Sequence, residues 1–123
     1  MPFESYRNLD VWKKAHELVI KSYKITEKFP KEEKYRIMDQ ILRASVSVPT
    51  NIAEGMSRNT SKDKIHFLII SRASLTETGY LFELSKDLKY IELSEYNEIE
   101  TEINEIGKKL NALITHFRSN LNN

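Results

Sequence analysis

A chain of 123 residues with 40% hydrophobic and 30% charged residues has the size and composition of one globular domain. It contains no cysteine, which excludes disulfides, thiolate catalysis and cysteine-based zinc sites, and its 3 glycines and 3 prolines are too few for a turn-rich sandwich or barrel. The net charge of +1 by itself points neither toward nor away from a polyanionic partner.

The first ten residues, MPFESYRNLD, lack the apolar centre of a signal peptide. No uninterrupted apolar run approaches the ~20 residues of a membrane span, so the expected location is cytoplasmic, with no membrane partner. Charge is distributed unevenly. In residues 1–72 lysine and arginine outnumber aspartate and glutamate by 14 to 9, whereas in residues 73–123 the ratio is 5 to 9. Glu92, Glu95, Glu98, Glu100, Glu102 and Glu105 follow one another with no basic residue between them. The pattern reads as a polarised molecule.

The spacing predicts a first helix over about 8–28. Trp12, Ala15, Val19, Ser22 or Tyr23, and Thr26 share one face, widened by Leu9, Leu18 and Ile25. Phe29-Pro30 ends it, because the residue before proline is pushed out of the α region. A second helix is expected over 31–57, with Tyr35, Met38, Ile41, Leu42, Val48, Ile52 and Met56 as its apolar face. Pro49 falls inside that pattern and removes a backbone donor, a cost of about 3 kcal/mol in a regular helix. The apolar spacing stays in phase across it, which predicts a kink and not a break. Gly55 is expected to end the helix as a left-handed cap.

A third helix is predicted over 61–89. Thr60 is placed to cap it with Asp63 three residues on, and Ile65, Leu68, Leu75, Phe82 and Leu88 form its main stripe. Gly79 in mid-helix is disfavoured by about 1 kcal/mol against alanine and is expected to mark a close contact. The last helix, over 94–119, has the clearest signature. Tyr96, Ile99, Ile103, Ile106, Leu110, Leu113 and Phe117 alternate spacings of three and four, a heptad seam, with Ser94 as the expected N-cap. Four amphipathic helices with short connections predict a single domain over 1–123, an all-α, antiparallel up-down four-helix bundle.

The second helix carries another stripe. Gln40, Arg43, Ser47, Asn51, Glu54 and Arg58 step by three or four, so they share a face that is polar but chemically mixed. Half the weight goes to an ordinary solvated surface. Small residues crowding the same helix favour instead a helix packed on two sides, with Gln40, Ser47, Asn51 and Glu54 at a contact between subunits. Basic residues around the second connection, Arg58, Lys62 and Lys64, with Arg72 and Arg43, form a candidate phosphate-binding patch for RNA or DNA; a solvated face weighs against it at about two to one. No pattern assembles a catalytic centre, a cofactor site or a metal site. The histidines are His16, His66 and His116, and Asp63-x-x-His66 is a single, unrepeated match to the pairs a di-iron bundle needs. The expectation is a protein without enzymatic activity or cofactor.

Several segments carry a family resemblance. They are Tyr6-Arg7-Asn8-Leu9-Asp10-Val11-Trp12-Lys13-Lys14-Ala15, Thr26-Glu27-Lys28-Phe29-Pro30, and Ser47-Val48-Pro49-Thr50-Asn51-Ile52-Ala53-Glu54-Gly55 followed by Arg58. Phe67-Leu68, Ser74-x-x-Glu77 and Tyr90-Ile91 complete the set. In this order they resemble the four-helix-bundle proteins first noticed as products of intervening sequences within bacterial 23S rRNA genes. The resemblance implies a homo-oligomer, typically a pentamer, and kinship to accessory proteins of diversity-generating retroelements, which bind nucleic acid and a reverse transcriptase. It implies no enzymatic activity. Two positions depart from the family pattern: Leu42-Arg43 stands where paired arginines are usual, which weakens any inherited RNA contact, and Ala73-Ser74 stands where Gly-Ser is usual. The two functions to be distinguished are an oligomeric bundle that contacts RNA through phosphates and an assembly or adaptor module whose partner is a protein.

Overall fold

A computed structural model describes residues 3–121, with side chains from residue 6 onward. Among them are four α-helices and no strand: α1 (Asp10–Thr26), α2 (Ile37–Met56), α3 (Ser61–Asp87) and α4 (Leu93–Asn120). Short 3-10 turns precede α1 (Phe3–Asn8) and lie between α1 and α2 (Lys31–Glu33). α1 and α3 each pack against both α2 and α4, so the four helices surround one core with α1 and α3 across a diagonal.

That core is built from the inward stripes. Ala15, Leu18, Ile41, Val48, Ile52, Leu68, Phe82, Ile99, Ile106 and Leu110 are all essentially solvent-free. Ile114, which lies beside the heptad seam and was not assigned to it, is buried as well. Every buried hydroxyl finds an acceptor. Ser22, Thr26, Thr78 and Ser85 bond back to carbonyls one turn earlier in their own helices, and Ser45 bonds to the carbonyl of Leu42. Ser71 reaches across to the Val48 carbonyl at 2.8 Å, next to the proline. α2 runs unbroken through Pro49, itself buried.

The helix junctions depart from expectation in four places. α2 begins at Ile37 and not near Lys31, because Arg36 adopts φ −122, ψ −110 and resets the chain direction. Tyr35, outside the helix, is therefore 84% exposed and does not join the core. α4 is capped by Glu92, not Ser94: the Glu92 carboxylate accepts from the Glu95 amide while the Glu95 carboxylate accepts from the Glu92 amide, a reciprocal capping box. Gly55 has an ordinary helical φ and lies within α2, which ends at Met56 with Ser57 as its C-cap. Among the described residues the one with a left-handed backbone is Lys89, at φ 66, where α3 closes with a Schellman pair: Tyr90 N–H to Ser85 carbonyl and Lys89 N–H to Lys86 carbonyl. By contrast, the Thr60 hydroxyl caps α3 by accepting from the Asp63 amide at 3.1 Å. Tyr23 and Leu88, placed on inward stripes by spacing, are about half exposed.

α1 and α4 meet along a ladder of ion pairs. Asp10 pairs with Lys109, Lys14 with Glu105, Lys21 with Glu98 and Glu102, and Lys28 with Glu95. Each step toward the C-terminus of α1 meets a step toward the N-terminus of α4. The same reversal holds between α3 and α4, where Arg72 bonds Asn111 and Lys86 lies over the Tyr96 ring. It holds again between α2 and α3, where Val48 faces Ser71 and Gly55 faces Phe67.

Candidate functional site: two exposed faces of the bundle

The five basic residues proposed for phosphate contact do not converge. Arg43 lies in the second turn of α2 and Arg58 just past the end of that helix at Met56, with 13 helical positions, roughly 20 Å at 1.5 Å per residue, between Arg43 and Met56. Arg43 pairs with Asp39 at 2.9 Å, and Arg58 pairs with Glu54 at 2.9 Å while its guanidinium covers the Phe67 ring. Lys64 turns inward: its ammonium donates to the carbonyls of Met56 and Arg58, closing the end of α2. Arg72 faces α4 and donates to Asn111 at 3.0 Å. Lys62 is exposed in the first turn of α3. The connection between α2 and α3 thus brings Arg58 and Lys62 together at one end, and leaves Arg43 and Arg72 elsewhere.

The polar stripe of α2 is also largely engaged within the chain. The Asn51 amide donates to the Ser47 carbonyl at 2.8 Å and to the Ser47 hydroxyl at 2.9 Å, and that hydroxyl bonds the Ser74 hydroxyl of α3 at 2.7 Å. Gln40 and Glu54 are exposed. What the stripe analysis missed lies one helical row over. Between α1 and α2 runs an open cleft of about 530 Å³, lined by Trp12, His16, Val19, Val46 and Thr50 among others, with Glu54 at its rim. Trp12 and His16 stack face to face, 5.2 Å between centroids, and Tyr6 packs edge-on against Trp12. Ile20, Tyr23 and Val46 stand beside the cleft, 46%, 49% and 38% exposed, an apolar tract in contact with water. The signal for it was present in α1, whose apolar and aromatic residues at 12, 19, 20 and 23 extend around the helix beyond what one core can cover.

On the opposite side of the bundle α3 and α4 enclose a second depression. Two adjoining clefts of about 440 and 350 Å³ share Leu75, Thr76, Ile103 and Asn104, and Gly79 and Gly107 lie along them. Gly79 does not mark a close contact within the chain: an added Cβ would stand 3.7 Å from Ile103, ordinary packing distance. The same holds for Gly107 against Leu75. At Gly55, in contrast, a Cβ would press to 3.2 Å on the Lys64 carbonyl and on Phe67.

Electrostatics centre on the α1–α4 ladder. The hydrogen bond from Lys109 holds the Asp10 carboxyl below its usual range, and Lys28, helped by the Glu92 amide, does the same for Glu95. For Lys21, partial burial lowers basicity, but bonds to Glu98 and Glu102 outweigh it and the pKa rises. Burial, seconded by the bond to Glu100, pushes the Tyr96 phenol up to about 12. Among the described residues no three histidine, aspartate or glutamate side chains group as metal ligands, and no helix is long and apolar enough to cross a membrane.

The helices, the apolar core and the two unlike faces define a small helical-bundle protein. The chain belongs to the 23S rRNA-intervening sequence protein family, whose profile matches residues 7–112. It is similar to a solved structure from Bacteroides thetaiotaomicron, described as a protein with unknown function from the S23 ribosomal protein family. The two are 29% identical, with 85% of this chain and 95% of that one covered, at a TM-score of 0.79. No curated protein matches it.

Proposed function

We propose that this chain is a non-enzymatic assembly module, an up-down four-helix bundle that works as a homo-oligomer. The observation that carries the reading is the apolar tract of Ile20, Tyr23 and Val46 around the α1–α2 cleft. Single exposed apolar side chains are ordinary, but a contiguous group beside an open cleft marks an interaction surface. Burial of such a tract between copies removes it from water at roughly 25 cal/mol per Å². Of the four stripe residues assigned to a subunit contact, Glu54 lines the cleft itself, whereas Ser47 and Asn51 turn toward Ser74 of α3. Association stabilises the folded chain by mass action, so the midpoint of thermal unfolding should rise with protein concentration. A midpoint that stays constant across a hundredfold dilution series would contradict self-association.

A second reading, contact with RNA, is favoured by the pairing of Arg58 and Lys62 at one end of the bundle. Two phosphate contacts per subunit correspond to a salt slope of roughly −1.5 to −2 in log affinity against log salt, with no sequence preference. Failure of the folded protein to retain RNA at low salt removes this reading and leaves the first intact. In either case the expected subunit number is five, as the family resemblance suggests.

A further inference from the structure

Along the α1–α4 seam Lys14, Lys21, Lys28 and Lys109 each meet a carboxylate. Two cations beside the α3–α4 depression do not. Among the described residues Lys108 has no ionic or hydrogen-bonding partner, although its neighbour Lys109 is paired, and the Arg72 guanidinium bonds only the neutral side chain of Asn111. Both cations line one cleft of about 440 Å³ with Thr76, Asn104, Gly107 and Asn111, and no carboxylate lines it. Leu75 and Ile103 supply its apolar surface. Two uncompensated positive charges at one concavity raise the local concentration of anions.

The hydrogen bond between Arg72 and Asn111 sets the geometry. Arginine only donates, so the Asn111 side-chain oxygen faces Arg72, and the Asn111 NH2 group is left as a further donor. That one bond holds the guanidinium against α4 and leaves its other N–H groups for a ligand. Asn104, Lys108 and Asn111 follow at spacings of four and three, so they share one face of α4. Gly107 keeps the space between them open. An added Cβ there would stand 3.7 Å from Leu75, so the packing of the bundle does not demand the gap.

Such a donor set suits a dianion with several terminal oxygens. A phosphomonoester carries a charge of about −1.5 to −2 and three strong acceptor oxygens. A carboxylate brings one charge and two oxygens. The cleft also exceeds what a bare phosphate needs and is of the size that takes a small organic molecule. Glu83 and Glu100 line the adjoining cleft, Glu100 being eight residues or about 12 Å along α4 from Lys108, and they repel an anion from that end.

We propose that the α3–α4 cleft binds a small phosphomonoester, with its phosphate on Arg72, Lys108 and Asn111 and its apolar body on Leu75 and Ile103 over Gly107. The site is complete in one copy and does not depend on self-association.

Titration of the native protein with phenyl phosphate, followed by nitrogen–proton NMR, tests this. The Gly107 backbone amide and the Asn104 and Asn111 side-chain amides should shift together and saturate. Inorganic phosphate, which lacks the apolar body, should bind about tenfold more weakly. Benzoate, with less charge and one oxygen fewer, should also bind about tenfold more weakly. Lys108→Gln removes a charge that nothing in the chain uses, so the fold is kept and the affinity should fall about tenfold. Lys62→Gln, in the exposed first turn of α3, should leave it unchanged. Absence of saturable shifts, shifts centred on Arg58 and Lys62, or an unaltered affinity in Lys108→Gln overturns the site. Benzoate binding as tightly as phenyl phosphate overturns the ligand class. Displacement of phenyl phosphate by a short unstructured RNA without terminal phosphates does so too, because the cations would then serve phosphodiesters.

Discussion

The three glycines within helices have two kinds of surroundings, and substitution separates them. At Gly55 an alanine methyl would meet the Lys64 carbonyl and Phe67 at 3.2 Å, where backbone cannot easily yield. Overpacking at such a site outweighs the gain in helix propensity, and Gly55→Ala should lose about 1 kcal/mol in urea denaturation. At Gly79 and Gly107 the methyl meets ordinary contacts. There alanine should gain about 0.5–1 kcal/mol each in an Ile20→Glu background, where the chain is expected to be monomeric. A loss of stability at either would show a packing demand that the bundle does not display. Lys89 presents the reverse case, a residue with a side chain held at φ 66 in the Schellman closure of α3. Lys89→Gly should raise the stability by about 0.5–1 kcal/mol, read as a higher melting temperature, because glycine adopts that conformation without the Cβ penalty.

Among the elements, α1 and α4 are the pair joined most by charge. The carboxyls of Asp10 and Glu95 titrate below their ordinary 3.8 and 4.5, so their contribution to folding is complete above those values and is lost as pH falls through the lower, folded-state pKa. Lys21 and Lys109 titrate above 10.5, so theirs is complete below that pH and is lost as pH rises beyond it. Thermal stability should therefore be level from about pH 5 to pH 10 and decline on both sides. Because these pairs are open to solvent, molar salt should lower the plateau only slightly. A melting temperature that climbs as pH drops from 4 to 3 would contradict the ladder. Helix identities were legible in the sequence wherever periodicity ran long: the seam of Tyr96, Ile99, Ile106 and Leu110 is the buried face of α4. Junctions were less legible. Glu92 took the cap because its carboxylate could bond reciprocally with Glu95, and the reset at Arg36 depends on tertiary packing that no local propensity encodes. The partners of Lys64 and Arg72 were hidden for the same reason, since they lie at a helix end and on another helix, whereas Arg43 meets Asp39 one turn earlier on its own helix.

At the scale of the molecule, the uneven charge of the two halves of the sequence is substantially used inside the fold. Lys14, Lys21 and Lys28 of the basic half meet Glu105, Glu102, Glu98 and Glu95 of the acidic half. The polarity read from the sequence is in large part the complementarity of α1 for α4. What remains for partners is the apolar tract on α1 and α2, the trough between α3 and α4, and the pair Arg58 and Lys62. The proposed self-association would bury the apolar tract, and its most direct test is the molar mass of the native chain in solution by light scattering at physiological salt. The expected value is a whole-number multiple of 14.5 kDa, five-fold if the family habit holds, independent of added nuclease. A mass of 14.5 kDa at micromolar concentration would contradict it.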